Sequence, residues 1–377
     1  MEDFRGKTHP PSASPKARRP DIDGLPRETL VALNLFPSLS PLRKTRLAAA
    51  HRDPDSLWKE LLSQNAFQGE RNVRRRLETE ARQEMRRARE LGISILIQSD
   101  PEYPSLLKEI PDPPIVLYSQ GAPLSADALT IVGTRRASPY GLKYTERFCR
   151  ELASAGCLLV SGLARGIDSA VHRTALDVQK QSCAVLPTGL LSLYPAVNRD
   201  LAKRILSNGG TLLSEFPLER SVRKFHFPVR NRILAGITRG TFVTEAPAKS
   251  GALITAFLAV EYDRLVWTLP HSLGRFSGVG CLRLLRCGAI PVTAASEILE
   301  DLRIPVARSS SSSSQQDATN NADIKKILEV LDPDGGTIEE LMEATALEPG
   351  TLYTYLMRLE LAGQIHCDFH GRYRIRG

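Results

Sequence analysis

The feature that most constrains the fold of this chain is a short unit that occurs twice in close succession. The run IVGTRRASPYG begins at Ile131, and the run VSGLARGIDSAVH begins at Val160. In each run, apolar residues typical of a strand lead into a glycine, then arginine, and then a helical pattern. Parallel strands that alternate with helices place their following loops along one edge of a sheet, where backbone N–H groups and helix N-termini attract phosphate. The two runs therefore predict an α/β fold with an anion-binding edge.

The alternation of strands and helices continues from Leu129 to about Val292. Apolar strands bounded by glycine and separated by helices are typical of a parallel sheet that is covered on both faces. The strand candidates are LTIVG, CLLVSG, SCAVLP, GTLLSE, GTFVTEA, RLVWTLP and AIPVT, and two shorter candidates, ISILIQ and PIVLYSQG, precede them. We expect a Rossmann-like core over residues 93–305, with its ligand beyond the carboxyl ends of the strands.

The segments on either side of this core differ from it in composition. Residues 1–20 are rich in proline, serine and basic residues and are expected to form a disordered tail, and residues 21–92 to form a helical, SAM-like N-terminal domain. A serine-rich stretch over 306–321 predicts a flexible linker. Residues 322–377 show three helical runs and an alternating ending, which is the pattern of a winged helix.

The distribution of charge separates the two ends of the chain. The whole chain carries +8, yet residues 321–377 hold six basic and ten acidic residues, so the first 320 residues carry +12. We therefore expect the anion-binding surface in the first 320 residues. The acidic winged helix could bind duplex DNA, as in a transcription factor, or contact a protein. Its charge of −4 favours the protein contact, since duplex binding requires a basic face.

Cysteine usage and hydropathy bound the class of protein. The six cysteines form no CxxC pair, so neither a disulfide framework nor a zinc site is indicated. The N-terminus has no apolar core of a signal peptide, and no long apolar run follows it. A cytoplasmic protein that does not contact membranes is expected.

The two repeated runs contain the first candidate binding residues. Gly133 permits a tight turn at the strand end, and Arg135 and Arg136 offer forked donors that suit phosphate oxygens. The second run repeats this arrangement in Ser161-Gly162, followed by Arg165. By position in the motif, Arg135 is expected to face the ligand, while Arg136 could anchor the sheet.

Two further segments add aromatic and basic residues. In FHFPVRNR, Phe225 and Phe227 could stack on unpaired bases while the arginines follow phosphates. Equally, these phenylalanines could be core residues and the arginines could form internal salt bridges. The segment AKSGALIT follows the strand GTFVTEA, and Lys249 with the amides from Ser250 onward could hold another phosphate.

No arrangement of residues indicates catalysis. Ser161, Asp168 and His172 could suggest a hydrolytic triad, but the G-x-S-x-G turn that presents such a serine is missing. Walker A spacing is also missing, so a P-loop nucleotidase is not supported. Glu215 and Glu245 end two strands and could form an acid/base pair, although structural pairing with arginines is favoured. The residues suit anion binding better than an enzyme.

The ordered set of motifs from about Asp100 to Leu302 resembles the DNA-processing protein A family, known as DprA or Smf. The resemblance implies a Rossmann-like core that binds single-stranded DNA, a homodimer, and loading of the recombinase RecA onto incoming DNA during natural transformation. It implies no catalysis and no cofactor. Carried over by motif, the implied DNA-binding residues are Gly133, Arg135, Arg136, Ser161, Gly162, Arg165, Asn231, Arg232, Lys249, Ser250 and Gly251.

The chain departs from that family after the strand RLVWTLP. It has Leu269-Pro270-His271 in place of a Val-Pro-Gly turn, and Ser277 to Cys281 in place of a Gly-Thr-Asn segment. Family members dimerise and meet the recombinase in this part of the core, so the DNA-binding inference is the firmer one. The alternative is a nucleotide-processing enzyme on a related Rossmann-like fold, but its PGGxGTxxE signature is missing.

Overall fold

The structure is a computed structural model that describes residues 22, 24–36, 39–63, 72–125, 127–304, 323–331, 335–361, 363–368 and 371–375. The chain divides into two compact units, Met1–Val306 and Ala307–Gly377. The predicted tail over 1–20 and the predicted linker over 306–321 lie outside the described residues.

A sheet of nine strands forms the centre of the first unit, in the order β1-β2-β6-β5-β4-β3-β7-β8-β9. The strands are β1 (Ser94–Leu96), β2 (Leu117–Gly121), β3 (Ala128–Val132), β4 (Leu158–Ser161), β5 (Ser182–Val185), β6 (Thr211–Ser214), β7 (Gly240–Val243), β8 (Leu265–Thr268) and β9 (Ile290–Pro291). Strands β3 to β9 pair in parallel, whereas β1 and β2 add an antiparallel edge beside β6. The predicted Rossmann-like parallel core is confirmed.

Helices cover both faces of this sheet, which explains why its central strands are apolar throughout rather than alternating. Helices α5, α6 and α11 share one apolar cluster with the sheet, and α8, α9 and α10 share another on the opposite face. These helices, together with α7, are α5 (Pro139–Ser154), α6 (Ile167–Asp177), α7 (Arg199–Ser207), α8 (His226–Gly236), α9 (Gly251–Glu261), α10 (Val279–Arg286) and α11 (Ala295–Leu302).

The order of the strands reverses next to β3. The chain passes from β3 to β4 on one side, while β7 pairs with the other side of β3. The loops after β3 and β7 remain joined where they diverge, since the Thr134 amide donates to the Glu245 carbonyl oxygen at 2.8 Å. Such a reversal leaves a crevice beyond the strand ends, which is where open α/β sheets bind ligands.

The helical region before the sheet packs directly onto it. Its helices are α1 (Arg27–Leu35), α2 (Pro41–Ala50), α3 (Pro54–Ser63) and α4 (Val73–Glu90). One apolar cluster runs from Leu33 and Trp58 of these helices to Ile205 and Leu212 of the core. Residues 27–304 therefore share one compact unit, and the predicted division into 21–92 and 93–305 stays a prediction.

The second unit contains the predicted winged helix. Its elements are α12 (residues 323–330), α13 (Ile338–Thr345), α14 (Pro349–Leu361), β10 (Ile365–Cys367) and β11 (Tyr373–Ile375). The two strands pair antiparallel as a hairpin, and the unit has its own apolar cluster. A capping box at Thr337 and Glu340 begins α13.

Candidate nucleic-acid interface

The loops that follow β3 and β4 meet at the crevice beside the reversal of strand order. The Ile167 amide, at the start of α6, donates to the carbonyl oxygen of Thr134 at 3.2 Å. A Cβ at Gly133 would overlap the Ile167 side chain, so glycine permits this close approach. The two repeated runs of the sequence are therefore neighbours in space, as their patterns predicted.

A basic cleft of about 550 Å³ opens beside these loops, between α5 and α6. We call it the arginine cleft, and its basic residues are Arg135, Arg136, Arg150, Arg165 and Arg173. All five side chains are exposed, and none forms an ion pair with a residue that the structure describes. Glu146 and Asp177 also line the cleft, so its arginines outnumber its carboxylates by five to two.

The sequence patterns did not single out Arg150 and Arg173. Both lie within helices, on α5 and α6, rather than in the strand-end loops that the motifs emphasise. Their signal is helical phase: Arg173 lies less than two turns after the start of α6, and α5 and α6 pack against each other. The arginine cleft therefore extends from the loops along the two helices.

An aromatic side chain adjoins the cleft at Arg135. The Arg135 guanidinium lies over the Phe227 ring, 4.5 Å from its centroid, and Tyr194 meets the other side of that ring edge-on at 5.9 Å. Phe227 is half-buried and Phe225 is 57% exposed, so neither is a fully buried core residue. Of the two alternatives for these phenylalanines, the exposed aromatic surface is the one observed.

The arginines of FPVRNR, by contrast, are buried. The Nη1 atom of Arg230 donates to the Val185 carbonyl oxygen at 3.2 Å, beneath the loop that contains Gly162. Burial lowers the pKa of Arg230 to about 10, while the nearby Asp168 carboxylate partly offsets this effect. Burial likewise raises the pKa of Asp168. This pair of buried charges supports the loop from below and does not face the arginine cleft.

Arg232 also lies in the interior, where it was expected to face the crevice. It forms ion pairs with Glu215 and with Asp112, at 3.3 Å for the latter, and its side chain is 5% exposed. The alternative of an internal salt bridge therefore describes Arg232, because a guanidinium at this depth requires carboxylate partners. Its contact with DNA remains a prediction.

The remaining predicted residues lie around the start of α9 and of the loop after β4. The Asn231 side chain is buried and donates to the Gly251 carbonyl oxygen at 3.2 Å, while Ser250 caps α9 by accepting from the Ala252 amide at 3.3 Å. Lys249 and Gly251 are exposed. Asn231 thus fixes the position of the α9 N-terminus rather than offering its side chain to solvent.

The three residues considered for a hydrolytic triad do not form one. Ser161 is fully buried and donates to the Ile131 carbonyl oxygen at 2.7 Å, and His172 Nδ1 lies 3.1 Å from Ser182 Oγ. Burial lowers the pKa of His172 to about 3, so this imidazole is neutral. Each of the three is held by other partners.

The two strand-end glutamates are structural. Glu215 pairs with Arg232 as favoured, whereas Glu245 pairs with no arginine and instead accepts from the Ser138 amide and hydroxyl at 2.8 and 2.6 Å. Glu245 therefore stabilises the start of α5. No group of three histidine, cysteine, aspartate or glutamate residues within the described parts of the chain is placed to hold a metal ion.

Among the helices that the structure describes, none combines the length and apolar character needed to cross a bilayer.

The fold and the arginine cleft together define an α/β protein with a polyanion-binding edge and a separate winged helix. The chain belongs to the DNA recombination-mediator protein A family, whose sequence model matches residues 94–303. The model of the DprA winged helix domain matches residues 311–368.

Relatives in other bacteria match most of the chain. Protein Smf of Escherichia coli is 38% identical over 74% of this chain and 77% of its own length, and Protein Smf of Synechocystis is 34% identical over 74% and 80%. The X-ray structure of DNA processing protein A from Streptococcus pneumoniae is similar with a TM-score of 0.57 and 31% identity, over 72% of this chain and 92% of that one.

A second solved structure is similar over the core. DNA processing protein A from Helicobacter pylori, studied for its mode of single-stranded DNA binding, aligns with a TM-score of 0.50 and 29% identity. The alignment covers 56% of this chain and 95% of that one.

Proposed function

We propose that this protein binds single-stranded DNA in the arginine cleft and mediates recombination by loading a RecA-type recombinase onto the strand during natural transformation. The proposal rests on five exposed arginines without ion-pair partners, gathered at one sheet edge within the described residues. The single-stranded DNA binding described for the Helicobacter pylori relative supports it. Such a protein acts in the cytoplasm, where the incoming strand meets the recombinase.

The shape and chemistry of the cleft favour a single strand over a duplex. Unpaired bases expose faces that stack on aromatic side chains, and Phe227 lies beside Arg135 where a base would follow a phosphate. Arg165 and Arg173 continue the basic surface along α6. Of the predicted residues, we assign direct contacts to Arg135, Arg136, Arg165, Lys249 and Gly251, with Gly133 and Ser250 offering backbone groups. We assign support of these contacts to Ser161, Gly162, Asn231 and Arg232.

The homodimer and the recombinase contact are proposed for the face formed by α9 and the loop after β8. Three apolar side chains recur along α9, namely Ile254, Phe257 and Val260, and each is at least 43% exposed. In the loop, Leu273 is 89% and Phe276 is 76% exposed. Exposed apolar residues grouped in this way mark protein interaction sites.

The deciding experiment compares single-stranded with duplex DNA of the same length in gel shifts across a salt series. Tight binding to the single strand is expected, and the logarithm of affinity should fall with the logarithm of salt by about 0.7 per phosphate neutralised. A salt-independent affinity, or a preference for duplex, contradicts the proposal. Because no catalytic role is proposed, incubation with nucleoside monophosphates should release no free base on chromatography.

A further inference from the structure

A second cavity lies at the seam between the N-terminal helices and the core, apart from the arginine cleft. It has a volume of about 340 Å³, which is within the range of small-ligand sites. Residues from the α1–α2 segment, from the loop after β6 and from α8 line it. We call it the seam pocket, and the residues that matter for its chemistry are Lys44, Glu215, Phe216, Arg220, Arg223, Phe225, His226, Val229 and Arg232.

Two buried polar atoms of the seam pocket lack partners among the described residues. Glu215 uses Oε2 to bind Arg232 Nη2, which leaves Glu215 Oε1 and Arg232 Nη1 buried without a hydrogen bond. Both residues are more than nine-tenths buried. An unsatisfied buried carboxylate oxygen or guanidinium nitrogen is costly, so a ligand that satisfies both is favoured. The pair presents one acceptor and one donor from a single ion pair.

The walls and rim of the seam pocket suit an aromatic, anionic ligand. Phe216 stacks on His226 with ring centroids 4.1 Å apart, and Phe225 meets His226 edge-on at 4.6 Å and is exposed at the mouth. Arg220 and Arg223 supply positive charge at the same mouth. Aromatic faces with an acceptor, a donor and basic residues form the environment that proteins use to hold an unstacked nucleobase and its phosphate.

The first residues of α8 join the seam pocket to the arginine cleft. Phe225 lines the seam pocket, and Phe227, two residues later, contacts Arg135 of the cleft. A strand that follows the cleft past Phe227 therefore reaches the mouth of the seam pocket at Phe225.

We propose that the seam pocket captures one unpaired base of the bound strand and prefers thymine or guanine. These two bases place a ring N–H beside a carbonyl, which matches the Glu215 Oε1 acceptor and the Arg232 Nη1 donor. Cytosine and adenine have no ring N–H on that edge. The inference rests on the proposed binding of single-stranded DNA, and it adds a site and a base preference to that function.

The test measures binding of the full chain to an oligo-dC strand and to the same strand with one central thymidine. We expect the single thymidine to increase affinity about fivefold or more, the discrimination typical of a two-point base contact. No gain from the thymidine overturns the proposal. A gain from free thymidine monophosphate that is not reproduced by thymidine within a strand also overturns it.

Two variants address the seam pocket without touching the arginine cleft. In Glu215→Gln, Arg232 Nη2 would hold the amide oxygen, so the amide nitrogen would replace Oε1 and oppose the thymine N–H. We expect the thymidine gain to disappear and cytosine to become the preferred base. Val229→Phe should fill the pocket and remove the gain while the ion pair stays intact, which keeps the test decisive if Glu215→Gln fails to fold.

The matched control is Glu219→Gln, which neutralises a carboxylate of the same loop that is 66% exposed and pairs with Arg87. It should retain the thymidine gain. A gain that survives in both Glu215→Gln and Val229→Phe contradicts the proposal while leaving DNA binding itself intact. Failure to bind any single strand, with or without thymidine, would instead contradict the proposed function.

Discussion

Arg230 occupies the space that a side chain on residue 162 would need. A Cβ at Gly162 would overlap the Arg230 guanidinium, which is buried and donates to the Val185 carbonyl oxygen at 3.2 Å. Gly162→Ala should therefore displace a buried charge and lower the free energy of unfolding by about 1–3 kcal/mol, the usual cost of overpacking. Urea denaturation followed by circular dichroism measures this loss.

The control for this substitution is Gly251→Ala. A Cβ at Gly251 meets no atom within 4 Å, and the residue lies at the start of α9. Its free energy of unfolding should stay within about 0.5 kcal/mol of that of the unaltered chain. Equal losses in the two variants would show that Arg230 does not impose the glycine at residue 162.

Arg135→Ala should weaken binding to single-stranded DNA without destabilising the fold, because the side chain is exposed and has no ion-pair partner among the described residues. Loss of one phosphate contact should also reduce the salt slope by about 0.7. Fluorescence anisotropy across a salt series measures both quantities. Arg147→Ala is the matched control, since this exposed arginine on α5 pairs with Glu151 and does not line the cleft.

Arg173→Ala tests whether the arginine cleft extends along α6. Arg173 lines the cleft but lies outside the strand-end motifs, so we expect a loss of affinity comparable to that of Arg135→Ala. Affinity and salt slope equal to those of the unaltered chain would confine the DNA to the loops.

Arg232→Met should act on stability first. Removing the guanidinium leaves Glu215 and Asp112 buried without their partner, at a cost of about 3–5 kcal/mol. Combining it with Glu215→Gln should recover part of this loss, because the uncompensated charge is then removed. Thermal unfolding of the single and double variants provides the comparison. A stable Arg232→Met that loses DNA binding would instead establish a direct contact.

The stability of the core should depend on pH through His172. Burial lowers the pKa of this imidazole to about 3, so the folded protein keeps it neutral while the unfolded chain protonates it below about pH 6.5. Its contribution to stability is complete above pH 6.5 and falls towards pH 3, by about 1.4 kcal/mol per pH unit.

His172→Asn should reduce this loss of stability between pH 6.5 and pH 5, as measured by urea denaturation at several pH values. The control is His366→Asn, in the winged helix, which should leave the pH dependence of the core unchanged. An unaltered slope in His172→Asn would show that other groups cause the pH dependence.

The periodicity of the chain was sufficient to predict the α/β core and the winged helix. Strands such as Ala128–Val132 are apolar at every position and end in glycine, and this local pattern survives in the structure because both sheet faces are covered. Motif order predicted that the loops after β3 and β4 would meet, since parallel strands place their carboxyl ends together. Arg135 and Arg165 were found by this reasoning.

The sequence by itself determined the sheet, the loops at its edge and the surplus of positive charge, because periodicity and glycine positions are local properties of the chain. Which arginines face solvent was decided only by the tertiary structure. Arg230 and Arg232 lie on the same helix as exposed neighbours, yet Gly162, Glu215 and Asp112 come from distant segments and make their burial possible. A buried charge depends on partners brought together by folding, and local patterns do not contain that information.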